Sequence, residues 1–92
     1  MIRYSDAALD DVERLYRWLL DRNPSASRRF LKRLKAAEDF IAGKTAACMN
    51  VQSGVARRYI VRFSGAAYVI YFVEDGADQI IVRIWHGREA RD

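Results

Sequence analysis

The chain has 92 residues, 51% of them hydrophobic, and a formal net charge of +4. Such a composition excludes an intrinsically disordered chain, and the length suits one modest core, so we expect a single domain spanning residues 1–92. A lone cysteine, Cys48, excludes an internal disulfide, and no apolar run approaches the roughly 18 residues of a membrane span. With charges starting at Arg3 and no signal-peptide pattern, we expect a cytoplasmic protein without membrane association.

The positive charge is concentrated in one segment. Residues 28–35 contain five basic residues and no acidic one, whereas the remainder of the chain holds 11 basic and 12 acidic residues. A focused patch of this kind attracts phosphates or an acidic partner protein. The alternative is a helix face that is simply solvated.

The N-terminal part of the sequence predicts a short strand and then a helix. Residues 2–4 form the candidate strand, and Ser5 and Asp6 then supply the side-chain chemistry of a helix N-cap. Apolar residues then recur at spacings of three and four, which indicates an amphipathic helix. This stripe consists of Leu9, Val12, Leu15, Tyr16, Leu19 and Leu20. The helix should end near Arg22, because Asn23 precedes Pro24 and a residue before proline is disfavoured in helical conformation.

A second helix is predicted directly after the first. Asn23 followed by Pro24 is typical of a cap residue with proline at the first helical position, and Gly43 is a suitable C-terminal stop. Its apolar stripe consists of Ala26, Phe30, Leu34, Ala37 and Ile41, widened by Leu31 and Phe40. The connection is so short that the two helices should form a hairpin, and both stripes need a partner surface.

After a less regular stretch at residues 44–54, the apolar period changes to 2, which indicates strands. The three predicted strands are residues 58–63, 68–74 and 80–86. Turns are expected at Ser64–Gly65 and at Asp75–Gly76, the latter a strong hairpin signal. The fold class is therefore α+β, with a short N-terminal strand and a helical hairpin packed on a C-terminal three-stranded antiparallel sheet (β-α-α-β-β-β). The middle strand is apolar on both faces, so we expect one face under the helices and the other partly open for binding.

Three stretches resemble the RelE/ParE superfamily of type II toxins, and its ParE branch in particular. Residues 4–12 (YSDAALDDV) are similar to the family's opening strand, small-residue cap and acidic helix. Residues 22–30 (RNPSASRRF) are similar to the ParE pattern of Asn-Pro followed by Ala and a basic-Phe pair. Residues 81–89 (IVRIWHGRE) resemble the closing strand and His-Gly-Arg signature of ParE toxins, and the segments 54–58 and 68–72 fit the sheet between.

The resemblance implies a toxin that is neutralised by a cognate antitoxin, ParD-like or similar, in a hetero-oligomer that reaches operator DNA only through the antitoxin. ParE-type members poison DNA gyrase, trapping it on broken DNA, whereas RelE-type members cut messenger RNA in the ribosome. A third hypothesis is a nucleic-acid-binding module that uses the basic helix. That module would lack the aromatic residues that single-strand binders usually interleave with basic ones.

The resemblance also indicates which residues a RelE-type nuclease would use. Its lysine positions correspond to Ile60 and Arg62, its strand arginine to Val69 and its tail arginine to Glu89. Only Arg62 keeps a positive charge, so the groups that move protons and stabilise the transition state are largely missing. We therefore expect no catalytic residue; the nuclease hypothesis would have to rely on Arg62, His86 and Arg88.

Candidate binding residues follow from charge, parity and the resemblance. For the target the candidates are Arg83, Trp85, His86 and Arg88, since an aromatic beside arginines is typical of protein-binding hot spots. For the antitoxin the candidates are Arg28, Arg29, Lys32, Arg33, Arg58 and Arg62. The alternatives are a core position for Trp85, a strand-end packing role for His86, and cross-strand pairing of the β arginines with Glu74 or Asp78. No cofactor and no metal site are expected, because one histidine and one distant cysteine do not make a ligand set.

Overall fold

A computed structural model describes residues 1–50, 56–63 and 65–88, with the backbone alone at residues 49 and 50. These residues form, in chain order, β1 (Ile2–Tyr4), α1 (Asp6–Arg22), α2 (Pro24–Gly43), a 3₁₀ turn (Thr45–Ala47), β2 (Met49–Asn50), β3 (Arg57–Phe63), β4 (Ala66–Asp75) and β5 (Asp78–His86). The predicted α+β class and the order of its helices and three long strands are confirmed. The predictions for Gly54, Ser64 and Glu89 lie outside the described residues.

Local chemistry explains both ends of the helical hairpin. Ser5 caps α1, where its hydroxyl accepts a hydrogen bond from the Ala8 N–H at 3.1 Å. Asn23 ends α1 and also caps α2, accepting from the Ala26 N–H at 3.2 Å. The predicted end of α2 is confirmed, but its C-cap is Lys44, so Gly43 is the last helical residue rather than a left-handed stop.

The predicted three-stranded meander is the centre of a five-stranded sheet, ordered β1-β5-β4-β3-β2. The strand β1 adds in parallel to β5, with Ile2 opposite Gln79, while β2 adds antiparallel to β3. The β4–β5 hairpin turns at Gly76, whose φ of 61° suits the predicted Asp-Gly turn. The two ends of the chain therefore meet in neighbouring strands.

The hydrophobic core lies between the helical hairpin and one face of the sheet. The five stripe residues predicted for α2 are all buried, and Phe30 packs against the rings of Phe63 and Tyr68. The stripe predicted for α1 is too wide, because Leu9 and Leu20 are exposed. The buried positions of α1 are Ala8, Asp11, Leu15 and Leu19. An acidic residue thus occupies a place in the apolar face.

The opposite face of the sheet, which we call the outer face, carries alternate side chains of β3, β4 and β5. Ile60 lies opposite Val69, and Val69 lies opposite Trp85. We expected a partly open apolar face, but Val69 and Tyr71 are each only 8% exposed. Among the described residues of this face, Ile60 is the one large apolar side chain that is exposed, at 39%, and Trp85 packs edge-on against Tyr71.

Neither of the two described helices combines the length and apolar character needed to cross a bilayer.

Candidate target-binding site

The site is built along the part of β5 that extends past the end of β1. Pairing with β1 stops at Ile81, and the Ser5 N–H and hydroxyl then donate to the carbonyls of Ile81 and Val82, both at 2.9 Å. The next free N–H on this edge, that of Ile84, donates to the Asp11 carboxylate at 2.8 Å. A buried side chain of α1 therefore completes the sheet edge where the strand β1 cannot.

The same carboxylate binds the Arg83 side chain. The guanidinium donates from Nε to Oδ2 at 2.8 Å and from Nη2 to Oδ1 at 3.1 Å, which is a two-point contact between planar groups. Arg14 adds a third donor to Oδ1 at 3.2 Å. Burial acts to raise the pKa of Asp11, but the hydrogen bonds from Arg83, the Ile84 N–H and Arg14 outweigh it, so this pKa lies below its usual value. Asp11 is a stable anion at neutral pH.

The Arg83 guanidinium also lies over the Trp85 ring, 4.7 Å from its centroid. Trp85 in turn contacts the Tyr71 ring edge-on, with the centroids 5.4 Å apart. Trp85 is half-buried, so it is neither a core residue nor fully exposed. The outer face therefore carries a cation-aromatic cluster, which consists of Tyr71, Trp85 and Arg83.

A cleft of about 710 Å³ lies on the helix side of the same strand. Its walls are the second half of α1 and the ends of β4 and β5, and they include Arg14, Trp18, His86 and Arg88. Trp18 is 49% exposed, and the Arg22 guanidinium stacks 4.1 Å above it. Cations and an exposed aromatic ring thus border a cavity open to solvent.

The turn after β5 places Gly87 and Arg88 beside this cleft. The Gly87 N–H donates to the Ala67 carbonyl at 2.6 Å, and a Cβ at Gly87 would lie 3.0 Å from that oxygen. The Arg88 N–H donates to Nδ1 of His86, whose ring packs edge-on against Tyr68. That hydrogen bond requires the tautomer with the proton on Nε2. Gly87 is therefore needed for the close approach of residues 87 and 88 to β4.

The four candidate target-binding residues lie on two sides of the β5 edge. Arg83 and Trp85 belong to the outer face, whereas His86 and Arg88 border the cleft. Asp11 connects the two sides, because Arg83 and the cleft residue Arg14 both donate to its Oδ1. The assignment of these residues to target binding stays a prediction.

The fallback nuclease residues are not brought together. Arg62 alternates with Phe63 and so belongs to the outer face, whereas His86 packs on the core residue Tyr68. Arg88 lies beside His86 on the cleft side. Within the described residues, no three His, Cys, Asp or Glu side chains are grouped in a way that could hold a metal ion.

The candidate antitoxin-binding residues also fall on two surfaces. The α2 group is exposed to solvent and consists of Arg28, Arg29, Lys32 and Arg33. Arg58 and Arg62 lie on the outer face instead. Cross-strand pairing to Glu74 is made by Arg57, whose Nε lies 3.6 Å from the carboxylate.

The α2 cations differ in their partners. Lys35 is engaged by Asp39 at 3.4 Å, and Arg29 lies 5.7 Å above the Phe63 ring. In the described part of the chain, Arg28, Lys32 and Arg33 form no ion pair. Their charge is therefore available to an acidic partner.

Sequence reasoning missed two residues of this region, Asp11 and Arg14. The signal for Asp11 was present, because it stands at the i+3 position after Ala8 and four residues before Leu15, in the middle of the buried stripe. An acidic residue at such a position needs partners, and it finds them on β5. No comparable signal marks Arg14, whose role depends on which strand α1 packs against.

The fold together with a family match defines the class of protein, a small α+β toxin of the RelE/ParE type. The chain matches the family model described as "ParE toxin of type II toxin-antitoxin system, parDE" over residues 2–91. It belongs to that family.

Two comparisons accompany this assignment. A relative from Caulobacter vibrioides, named Toxin RelE1, is 35% identical over 81 residues, which cover 88% of this chain and 86% of the relative. A solved structure described as the chromosomal ParDE TA system from P. aeruginosa matches with a TM-score of 0.73 and 12% identity over 92% of each chain. At that identity the solved structure shows the shared fold, and the confirmed fold class agrees with it.

Proposed function

We propose that this toxin acts by inhibiting DNA gyrase in the cytoplasm and is held inactive by a cognate antitoxin in a hetero-oligomer. In such a system operator DNA is contacted through the antitoxin. The resemblance to ParE toxins is the source of the gyrase assignment, and the chemistry of the outer face supports it over messenger RNA cleavage.

One observation carries this preference. Ile60 and Val69 are directly opposite each other in the β3–β4 register, at two positions where RelE-type nucleases carry basic residues. Neither aliphatic side chain can accept or donate a proton or stabilise a charged transition state. Val69 is also 8% exposed, so a scissile phosphate would have little access to it. Losing a single stabilising donor tends to cost about 10²–10³ in rate.

The relative named Toxin RelE1 is the reason to test the alternative, a ribosome-dependent endonuclease. Two assays on the wild-type chain separate the hypotheses. In the first, purified toxin is added to gyrase supercoiling reactions; in the second, primer extension maps new ends on translated messages after expression. We expect loss of supercoiling and no codon-linked cleavage. Intact supercoiling together with new message ends inside codons would overturn the proposal.

The antitoxin part of the proposal depends on charge. The exposed cations of α2 suit acidic side chains of an antitoxin segment lying along the hairpin, with apolar anchors supplying most of the affinity. The exposed apolar residues Leu20 and Leu31 of the two helices are available as such anchor points. We expect co-expression of the antitoxin to restore growth, and charge reversal on α2, described below, tests whether this surface takes part.

A further inference from the structure

Asp11 has an unusual position for an acidic residue. It is 3% exposed and accepts hydrogen bonds from Arg83, Arg14 and the Ile84 backbone. A buried carboxylate is costly unless such donors surround it. Because it is buried, Asp11 cannot itself touch a macromolecular target.

Arg83, by contrast, keeps 43% of its side chain exposed while its guanidinium is fixed at two points by Asp11 and stacked on Trp85. A long arginine side chain normally loses much of its rotamer freedom when it binds a partner. Contacts with Asp11 and Trp85 fix the guanidinium before any target arrives. Preorganisation of this kind raises affinity by lowering the cost of binding.

We propose that Asp11 is a positioning residue of the target contact: it holds the Arg83 guanidinium against Trp85 in the orientation that the target recognises. This inference rests on the proposed function only in that Arg83 and Trp85 are assumed to contact the target. The partner surface that fits is one with carboxylates or carbonyl groups able to receive a fixed, planar cation.

The alternative is that Asp11 only stabilises the fold by completing the β5 edge. The two roles differ in their coupling to Arg83. A positioning role makes the effect of Asp11→Asn depend on Arg83, whereas a purely structural role lowers the amount of folded toxin whatever stands at residue 83. A double-mutant cycle with Arg83→Lys measures this coupling.

The experiment compares the wild type with Asp11→Asn, Arg83→Lys and the double variant, each assayed well below its melting temperature. Asp10→Asn is the matched control, since it removes the same charge from the next residue of α1 at an exposed position. We expect each single variant to weaken growth arrest and gyrase inhibition at least about tenfold, and the double variant to be no weaker than the singles. Additive losses would overturn the inference.

Two spectroscopic readouts make the test independent of the target. In the wild type, the Arg83 Nε–H should give a resolved NMR signal that exchanges slowly with solvent, and Asp11→Asn should remove this protection. In a Trp18→Phe background Trp85 is the sole tryptophan, and its fluorescence should change in Asp11→Asn but not in Asp10→Asn. Unchanged Arg83 and Trp85 signals in a folded Asp11→Asn variant would overturn the inference.

Failure of the two proposals can be distinguished. If the wild type leaves gyrase active, the proposed target is wrong, and the coupling is then measured by growth arrest alone. If Asp11→Asn does not fold, Arg83→Lys with Asp11 intact still tests the geometry, because lysine keeps the charge but cannot make the two-point contact. Full inhibition by Arg83→Lys would then show that a fixed guanidinium is not required.

Discussion

The Tyr4 hydroxyl donates a hydrogen bond of 2.6 Å to the Glu38 carboxylate, which joins β1 to α2 across the edge of the core. Burial, the hydrogen bond to Glu38 and the charge of Glu38 together raise the pKa of Tyr4 well above the usual tyrosine value of 10.0. The first strand is therefore anchored at both ends of its short length, since the N-terminal amine also pairs with Asp78 at 3.2 Å.

We expect Tyr4→Phe to lower the free energy of unfolding by about 1–2 kcal/mol, because it removes a hydrogen bond to a charged acceptor. Tyr4 keeps its proton in the folded state above pH 10, whereas the unfolded chain loses it there, so this residue makes stability fall as pH rises beyond 10. The variant should lose less stability between pH 10 and 11 than the wild type. Urea unfolding measures both effects, with Tyr16→Phe as control.

Tyr16 is a suitable control because no hydrogen bond to its hydroxyl is found among the described residues. If both variants unfold at the same urea concentration as the wild type, the Tyr4–Glu38 contact contributes nothing to stability.

The fall in the free energy of unfolding at low pH should depend on Asp11. Its pKa is lowered in the folded state, so its stabilisation is complete above the unfolded value of 3.8 and is lost as pH falls through the folded value. We expect Asp11→Asn to cost about 3 kcal/mol or more at pH 7, as for a broken buried ion pair, and to flatten the decline in stability below pH 4. Thermal unfolding from pH 7 to pH 2 measures this. The free energy of unfolding of Asp10→Asn should stay within about 0.5 kcal/mol of the wild type. If the two variants lose stability identically below pH 4, Asp11 is not the source of the acid sensitivity.

Replacement of Gly87, in the turn after β5, should affect both stability and growth arrest. Gly87→Val places a Cβ 3.0 Å from the Ala67 carbonyl oxygen, and relief of this contact should move Arg88 away from the cleft. We expect a cost of about 1–3 kcal/mol, typical of overpacking, and a loss of growth arrest in a chain that still folds. Circular dichroism and a dilution series of inducer measure the two effects. Gly43→Ala is the control, since an added Cβ there meets no heavy atom within 4 Å; growth arrest as strong as that of the wild type in Gly87→Val would exclude a role for the tail position.

Charge reversal on α2 tests the antitoxin surface. We expect replacement of Arg28, Arg29, Lys32 and Arg33 by Glu to slow association with the antitoxin and to weaken the salt dependence of the rate, because rim charges mainly steer encounter. Stopped-flow or surface-binding kinetics at two ionic strengths measure this. The single reversal Arg33→Glu should slow association more than Arg17→Glu, which changes the net charge equally on α1. Equal rates would mean that the basic face of α2 is only a solvated surface.

The sequence predicted those features that depend on neighbours along the chain. Ser5 and Asn23 cap their helices through residues three positions away, and the apolar period of α2 locates its buried face without knowledge of the sheet. The sequence did not predict the parallel pairing of Ile2 with Gln79, because no local pattern says which strand β1 joins.

The candidate site was predicted less completely than the fold, for a related reason. The parity of Arg83 and Trp85 correctly placed them on one face, since alternation is a local property of a strand. The separation of His86 from Arg62 depends on the register of β3 and β5 against β4, where His86 lies opposite Tyr68 and Arg62 lies opposite Ala67. The contact between Asp11 and Arg83 joins residues 72 positions apart. The charges of two residues do not reveal that they are in contact when they are so far apart in the sequence.

Because the first strand pairs with the last, β1 and α1 are synthesised well before the strand that they contact. Asp11 is synthesised 72 residues before Arg83, and at the ~5–20 residues per second of translation the interval is roughly 4–14 s. During that time α1 and α2 exist without the strand that receives Asp11, and β1 has no neighbour to pair with. A nascent chain of this topology therefore cannot form the contact between Asp11 and Arg83 until β5 has been synthesised, several seconds after α1.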